Sequence, residues 1–178
     1  MSYNRGSTYP THTNNWLVGP DEYLSSLIFG IGIGNGSTVT ANQAYYTPFC
    51  LPRDATCTAV SWNCTAGTSS GRNFDVGFYP DDGTWNKLST QGGVLAVSGI
   101  NTWSCSQPLV GGTRYFVALV GNNAGLGVWR RGPSSLQSRI VGMAIQSSAY
   151  PLPSTATPAQ VSGTDLWPMI SLSFAEIP

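Results

Sequence analysis

Charge is the scarcest property of this 178-residue sequence. Lys plus Arg total 8 and Asp plus Glu total 8, so charged residues make up 9% of the chain and the formal net charge is zero. Soluble domains usually carry about 25% charged residues. So few cations cannot form a basic stripe along a phosphate backbone, and no nucleic acid is expected as a partner. A surface of this kind repels little. Near-zero net charge favours association, so the composition predicts a surface covered in large part by copies of the chain or by a partner.

Histidine is almost absent too. A Ser-His-Asp or Cys-His arrangement needs a histidine in a rigid site, and the one histidine, His12, lies in a polar N-terminal stretch. No nucleophilic catalysis is expected on that ground, and no enzyme activity once the carboxylates are considered below. The four cysteines, Cys50, Cys57, Cys64 and Cys105, form no CxxC pair, and with one histidine they make no zinc set, so no metal is expected. On one extended strand Cys57 and Cys64 would stand about 23 Å apart, too far to bridge. Reduced thiols are the expectation, with a Cys64 to Cys105 bridge left open. Gly30, Gly32, Gly34 and Gly36 fail the G-x-G-x-x-G pattern and no helical pattern follows them, so no nucleotide or other cofactor is expected.

Long apolar runs are missing as well. The longest, Leu27 to Ile33, is too short to span a bilayer, and the first residues lack the apolar core of a signal peptide. No membrane contact is expected, and synthesis and assembly are expected in a cytoplasm. Asn35-Gly-Ser and Asn63-Cys-Thr match the glycosylation acceptor pattern, which is incidental in that setting. No stretch of ten or more residues shows a helical stripe, although Pro133 to Arg139 could form one turn.

What is present is a rhythm of short β-rich runs from Tyr45 onward: AYYTPFCLP, TCTAVSWNCTAG, NFDVGFYP, WNKLSTQ, GVLAVSGI, TRYFVALVGN, GLGVWRR, RIVGMAIQ and WPMISLSFAEI. Runs of this length separated by turn signals predict an all-β, antiparallel sandwich or barrel. Phe74, Val76 and Phe78, like Val60, Trp62 and Cys64, should face its core. PDDG, QGG and VGG, beginning at Pro80, Gln91 and Val110, read as turns. The proline-rich stretch from Ala149 to Pro168 reads as a long surface loop, of the kind that binds something or packs on a neighbour.

The expected organisation is an extended N-terminal arm over residues 1–24 followed by one sandwich domain over 25–178. Tyr3, Tyr9, Trp16, Leu17 and Val18 in the arm, with Leu27, Ile31 and Ile33 in the Ile/Gly stripe after it, are the candidate contacts to neighbouring subunits. Two other site classes are open to other residues. Asp54, Asp75, Asp81, Asp82 and Asp165 could in principle supply the carboxylate pair of a glycoside hydrolase, but Asp81 and Asp82 read as turn formers and Asp54 as the loop partner of Arg53. Asp75 alone lies mid-strand, facing away from the predicted core. Trp85, Trp103, Trp129 and Trp167, near strand ends or loops, are candidate glycan contacts because an indole can stack on a sugar ring. Core or interface packing is the competing use for each.

The segments GFYPDDG (Gly77 to Gly83) and GGTRYFVALV (Gly111 to Val120), with YYTPFCLP (Tyr45 to Pro52) as a first strand, resemble the jelly-roll module of tailed-bacteriophage virion proteins. The likeness covers residues 44–122 and continues beyond them only as strand rhythm. It implies a jelly-roll sandwich, a homotrimer, and a role as a capsid decoration or cement protein, a head fibre or a tail-fibre tip. With its polar arm and no shaft, the sequence is closest to the cement role: binding the major capsid protein on the outer head surface of the virion after assembly in the host bacterial cytoplasm. The alternative implied by the same resemblance is a receptor- or glycan-binding module of the tail or fibre.

Overall fold

A computed structural model describes residues 17–18, 23–25, 36–66, 71–131, 142–160 and 167–175. The described residues contain fourteen strands and no helix. One sheet runs in the order β1 (Leu17–Val18), β2 (Tyr23–Ser25), β14 (Ile170–Ala175), β5 (Ala55–Ala66), β10 (Gly127–Arg131), β13 (Trp167–Pro168), with β3 (Gly36–Thr38) on β10 and β8 (Gly99–Leu109) on β5. The other runs β12 (Ala159–Gln160), β11 (Ala144–Gln146), β4 (Ala44–Cys50), β9 (Arg114–Gly121), β6 (Asn73–Pro80), β7 (Ser89–Leu95). Each pairing in these two orders is antiparallel. The sheets pack face to face, so the chain is an antiparallel β-sandwich, as its strand rhythm predicts.

The core between the sheets follows from the period of two. Phe74, Val76 and Phe78 of β6 meet Val60, Trp62 and Cys64 of β5 there, together with Phe49, Trp103, Val117, Leu119 and Leu172. Aromatic edges fill it: Trp62 on Phe74 at 5.5 Å and Phe49 on Phe78 at 6.1 Å between ring centroids, geometries that suit the ring quadrupole. Cys57 also points inward although it is out of phase with Val60, because the register of β5 against β8 shifts between Cys57 and Ala59. A bulge of this kind turns the later side chains by one position.

Two expectations need correction. QGG is not a turn. Gly92 and Gly93 lie inside β7, opposite the single residue Asp75, with Phe74 paired to Val94 and Val76 to Gln91. Gly93 has φ 67°, which glycine adopts without strain, so the pair makes a bulge instead of a hairpin. Second, Asn101 to Leu109 form most of β8, an 11-residue strand with alternating exposure that is missing from the strand rhythm. Its Asn, Ser, Gln and Pro residues carry little β-propensity, and pairing with β5 overrides that. Leu17–Val18 and Tyr23–Ser25 are short strands: β1 pairs with β2, and β2 with β14. Tyr3, Tyr9, Trp16, Leu27, Ile31 and Ile33, and the turn expected over Pro133 to Arg139, lie outside the described residues.

Candidate functional site

The two outer faces of the sandwich differ, and the more elaborate one belongs to the six-stranded sheet. β4, β6 and β9 are buried on both faces over nearly their whole length. Their outward residues, Tyr46, Tyr79, Phe116, Ala118 and Val120, form a second apolar core with Ala149, Leu152 and Ala156, and Trp85 and Tyr150 pack against it. The proline-rich stretch expected at the surface for a neighbour therefore covers its own sheet through its described residues. Apolar side chains on the outer face require such a cover.

Asp75 fastens the cover. It lies mid-strand in β6 on the outer side, as its position in the alternation predicts, but is 1% exposed. One carboxylate oxygen accepts the Leu152 N–H at 2.7 Å and the other the Thr90 hydroxyl at 2.6 Å. Gly92, in the bulge opposite Asp75, lies beside the carboxylate, and a β-carbon there would stand 3.7 Å from it, an ordinary contact. Further ties follow along the segment. The Lys87 ammonium donates to the Leu152 carbonyl at 2.7 Å, the Tyr79 hydroxyl to the Pro153 carbonyl at 2.6 Å, and the Thr157 N–H to the Gln146 Oε1 at 2.8 Å. Gly77 is required beneath them, since a β-carbon would sit 2.7 Å from the Ser89 carbonyl oxygen and 3.3 Å from Leu152. Burial pushes the Tyr46 and Tyr79 hydroxyls well above their usual range, with the charges of Tyr46 and Asp75 adding to the effect on Tyr79. Tyr150 is also raised, by burial first and then by Asp75.

The other acidic residues are engaged separately. Asp54 accepts the Gly111 N–H at 2.8 Å, and Asp81 pairs with Arg114 at 3.3 Å. Asp82 accepts the Thr84 hydroxyl at 2.7 Å and its N–H at 2.8 Å, bonds that hold its carboxyl below the usual range. These are turn and loop contacts. Asp165 lies outside the described residues, which contain no group of three or more His, Cys, Asp or Glu able to hold a metal ion.

Of the four tryptophans offered as glycan contacts, two are core residues. Trp167 is 2% exposed, donates its Nε1–H to the Thr47 hydroxyl at 2.7 Å and packs edge-on to Tyr45. Trp103 packs on Phe78 with centroids 5.7 Å apart. Neither presents a ring face on which a sugar could stack. Trp129 lies in β10 opposite Gly36, and its side chain is outside the described residues. Trp85 is half-buried at φ 54°, an unusual conformation for a bulky residue. It stacks on Phe116 at 4.4 Å and meets Tyr46 edge-on, while the Arg114 guanidinium lies 5.3 Å from the Phe116 ring centre. Asn86 accepts the Thr155 hydroxyl beside it at 2.8 Å.

All four cysteines are free thiols. The neighbour of Cys105 is Cys57, whose carbonyl accepts its S–H at 3.3 Å, so the pairing left open for Cys64 gives way to this contact. The hydrogen bond between the two thiols and burial hold the Cys57 thiol far above its usual range; the same bond lowers Cys105. No protein-family profile matches the chain, and no curated protein matches it.

Proposed function

We propose that this chain is a structural virion protein of a tailed phage, a jelly-roll plug that decorates the outer head surface and cements the mature shell. The observation that carries the reading is how the described polar side chains are used. Asp54, Asp75, Asp81 and Asp82 each brace a turn, loop or strand, while the outer face of the eight-stranded sheet offers hydroxyls and no charge across β5, β8 and β14. That surface suits contact, and no step of cementing needs a catalytic group. The winding supports the same reading: consecutive strands from β4 to β9 cross between the two sheets, apart from the β6–β7 hairpin.

Cementing works by linkage. A protein that binds only the mature lattice stabilises it by its binding free energy at each site. A plug present in several copies gains further, because later attachments become intramolecular. The test is to add the purified chain to heads that lack it and image them by electron microscopy while following their heat resistance. Regular decoration with a raised disruption temperature is expected; bare heads with unchanged resistance would overturn the reading.

Trp85 favours a second reading, a glycan-binding module. It alone among the four candidate tryptophans is half-exposed with its side chain described, and Asn86 and Thr155 stand beside it. That reading predicts saturable binding to purified host surface polysaccharide, abolished by Trp85→Ala. The cement reading predicts none.

A further inference from the structure

Two of the four free thiols meet where the register between β5 and β8 slips. Cys57 pairs with Gln107 and Ala59 with Ser104, so Thr58 of β5 stands opposite two residues of β8, Cys105 and Ser106. Alternation along β8 turns Cys105 inward with Trp103 and Gln107, and Cys57 is inward and buried as well. On a regular antiparallel pair such diagonal neighbours would stand about 7–8 Å apart, too far for a disulfide. The bulge brings them together. The Cys105 thiol donates to the Cys57 carbonyl at 3.3 Å, and the two thiols share a hydrogen bond. Gln107, opposite Cys57, is buried and accepts the Ser89 hydroxyl at 2.6 Å, which ties β8 to β7 beside the pair.

The two thiols differ in access in the way a stepwise oxidation needs. Among the described residues β8 pairs only with β5, so it is a sheet edge, and Cys105 is half-buried there. Cys57 is fully enclosed, out of reach of a reagent but beside the sulfur it would attack. The shared hydrogen bond lowers the Cys105 thiol, which makes it the source of the attacking thiolate. The other two thiols are placed elsewhere. Cys64 lies further along β5 opposite Gly99, about 23 Å from Cys57 at the usual rise, and Cys50 lies in β4 of the other sheet.

We infer that Cys57 and Cys105 form a dithiol modification site, which a low-molecular-weight disulfide converts into a covalent rung between β5 and β8. The Cys105 thiolate attacks the reagent, forming a mixed disulfide and releasing one thiolate, which takes up the proton that Cys105 gave to solvent. The Cys57 sulfur then displaces the second thiol, which leaves with the Cys57 proton. The reagent gains two electrons and the protein loses them. The inference does not rest on the virion reading, since it concerns the isolated chain.

Oxidised glutathione is the probe. The reduced chain is incubated with it at mildly alkaline pH, blocked with iodoacetamide and mapped by mass spectrometry without reduction. The parent is expected to lose two thiols and to yield the Cys57–Cys105 peptide at least about tenfold over any cross-link to Cys50 or Cys64. In urea, where the shorter Cys50–Cys57 and Cys57–Cys64 loops close more easily, that preference should vanish. Cys57→Ser, its fold checked by circular dichroism, is expected to stop with glutathione held on Cys105, and Cys105→Ser to keep Cys57 unmodified. Glutathione retained on Cys105 of the folded parent, another pair cross-linked in preference, no thiol lost, or the same preference in urea would overturn the inference. The parent's map alone decides it if a variant does not fold.

Discussion

The two sheets give their inner faces to one core and part company on the outer faces. On the six-stranded sheet Tyr46, Tyr79, Phe116, Ala118 and Val120 are apolar and buried outward, and the chain spends residues 147–158 and Trp85 covering them. On the eight-stranded sheet the outward positions include Ser61, Asn63, Thr102, Ser104 and Ser171, with Ser61 and Thr102 hydrogen-bonded across strands at 3.0 Å. Hydroxyls tolerate water, so that face needs no cover. The contrast is between a sheet sealed by its own chain and one whose outer face carries polar side chains.

The strongest way to break this comparison is to truncate one residue on each outer face. Phe116→Ala removes an aromatic from the second core and should cost about 3–5 kcal/mol, whereas Ser61→Ala should stay within about 0.5 kcal/mol. Urea unfolding measures both, and equal costs would erase the distinction between the faces.

A smaller effect probes the latch. Asp75→Ala leaves the Leu152 N–H and the Thr90 hydroxyl without their carboxylate acceptor, at a cost of about 1–3 kcal/mol. Limited proteolysis should then cut within residues 147–158 sooner than in the parent. Unchanged cleavage would mean that packing alone holds the cover.

The cover should also set an alkaline limit. Tyr46 and Tyr79 are held protonated, their hydroxyls raised above the ordinary value of 10.0. A raised folded-state pKa leaves stability intact below the unfolded value, and stability falls as pH climbs from there toward the folded-state value, because only the unfolded chain releases these protons. Tyrosinate absorbance followed together with circular dichroism should show a class of tyrosines that ionises only as the fold is lost. Full ionisation before unfolding would place these hydroxyls in water.

The finest contrast lies within the eight-stranded sheet. Cys57, inward and raised, should resist iodoacetamide, while Cys105, half-buried at the edge strand and lowered, should react first. Peptide mapping after brief alkylation reads the order directly.

The strand rhythm was legible where alternation was strong. Phe74, Val76 and Phe78 face the core as their spacing requires, and the PDDG turn closes with Gly83 at φ 79°. β8 was not legible, because its residues have weak intrinsic preference and only the partner strand β5 makes them extended. The candidate tryptophans were ambiguous for a related reason: proximity to a strand end does not say which way an indole turns. One available signal pointed to the second core. β9 reads Tyr115 to Val120 without alternation, which marks a strand buried on both faces.

By itself, the sequence determined the β class, the scarcity of charge and the inward face of the central strands, because period-two alternation and composition are local properties carried along the chain. Tertiary structure decided which outer face is covered, that Asp75 is a latch, that Trp167 and Trp103 belong to the core, and that β7 and β8 lie together as an uncharged edge. Those outcomes depend on residues far apart in sequence, such as Asp75 with Leu152 or Ser89 with Gln107. No local pattern encodes such a meeting; it follows from sheet register and from the need to bury apolar surface.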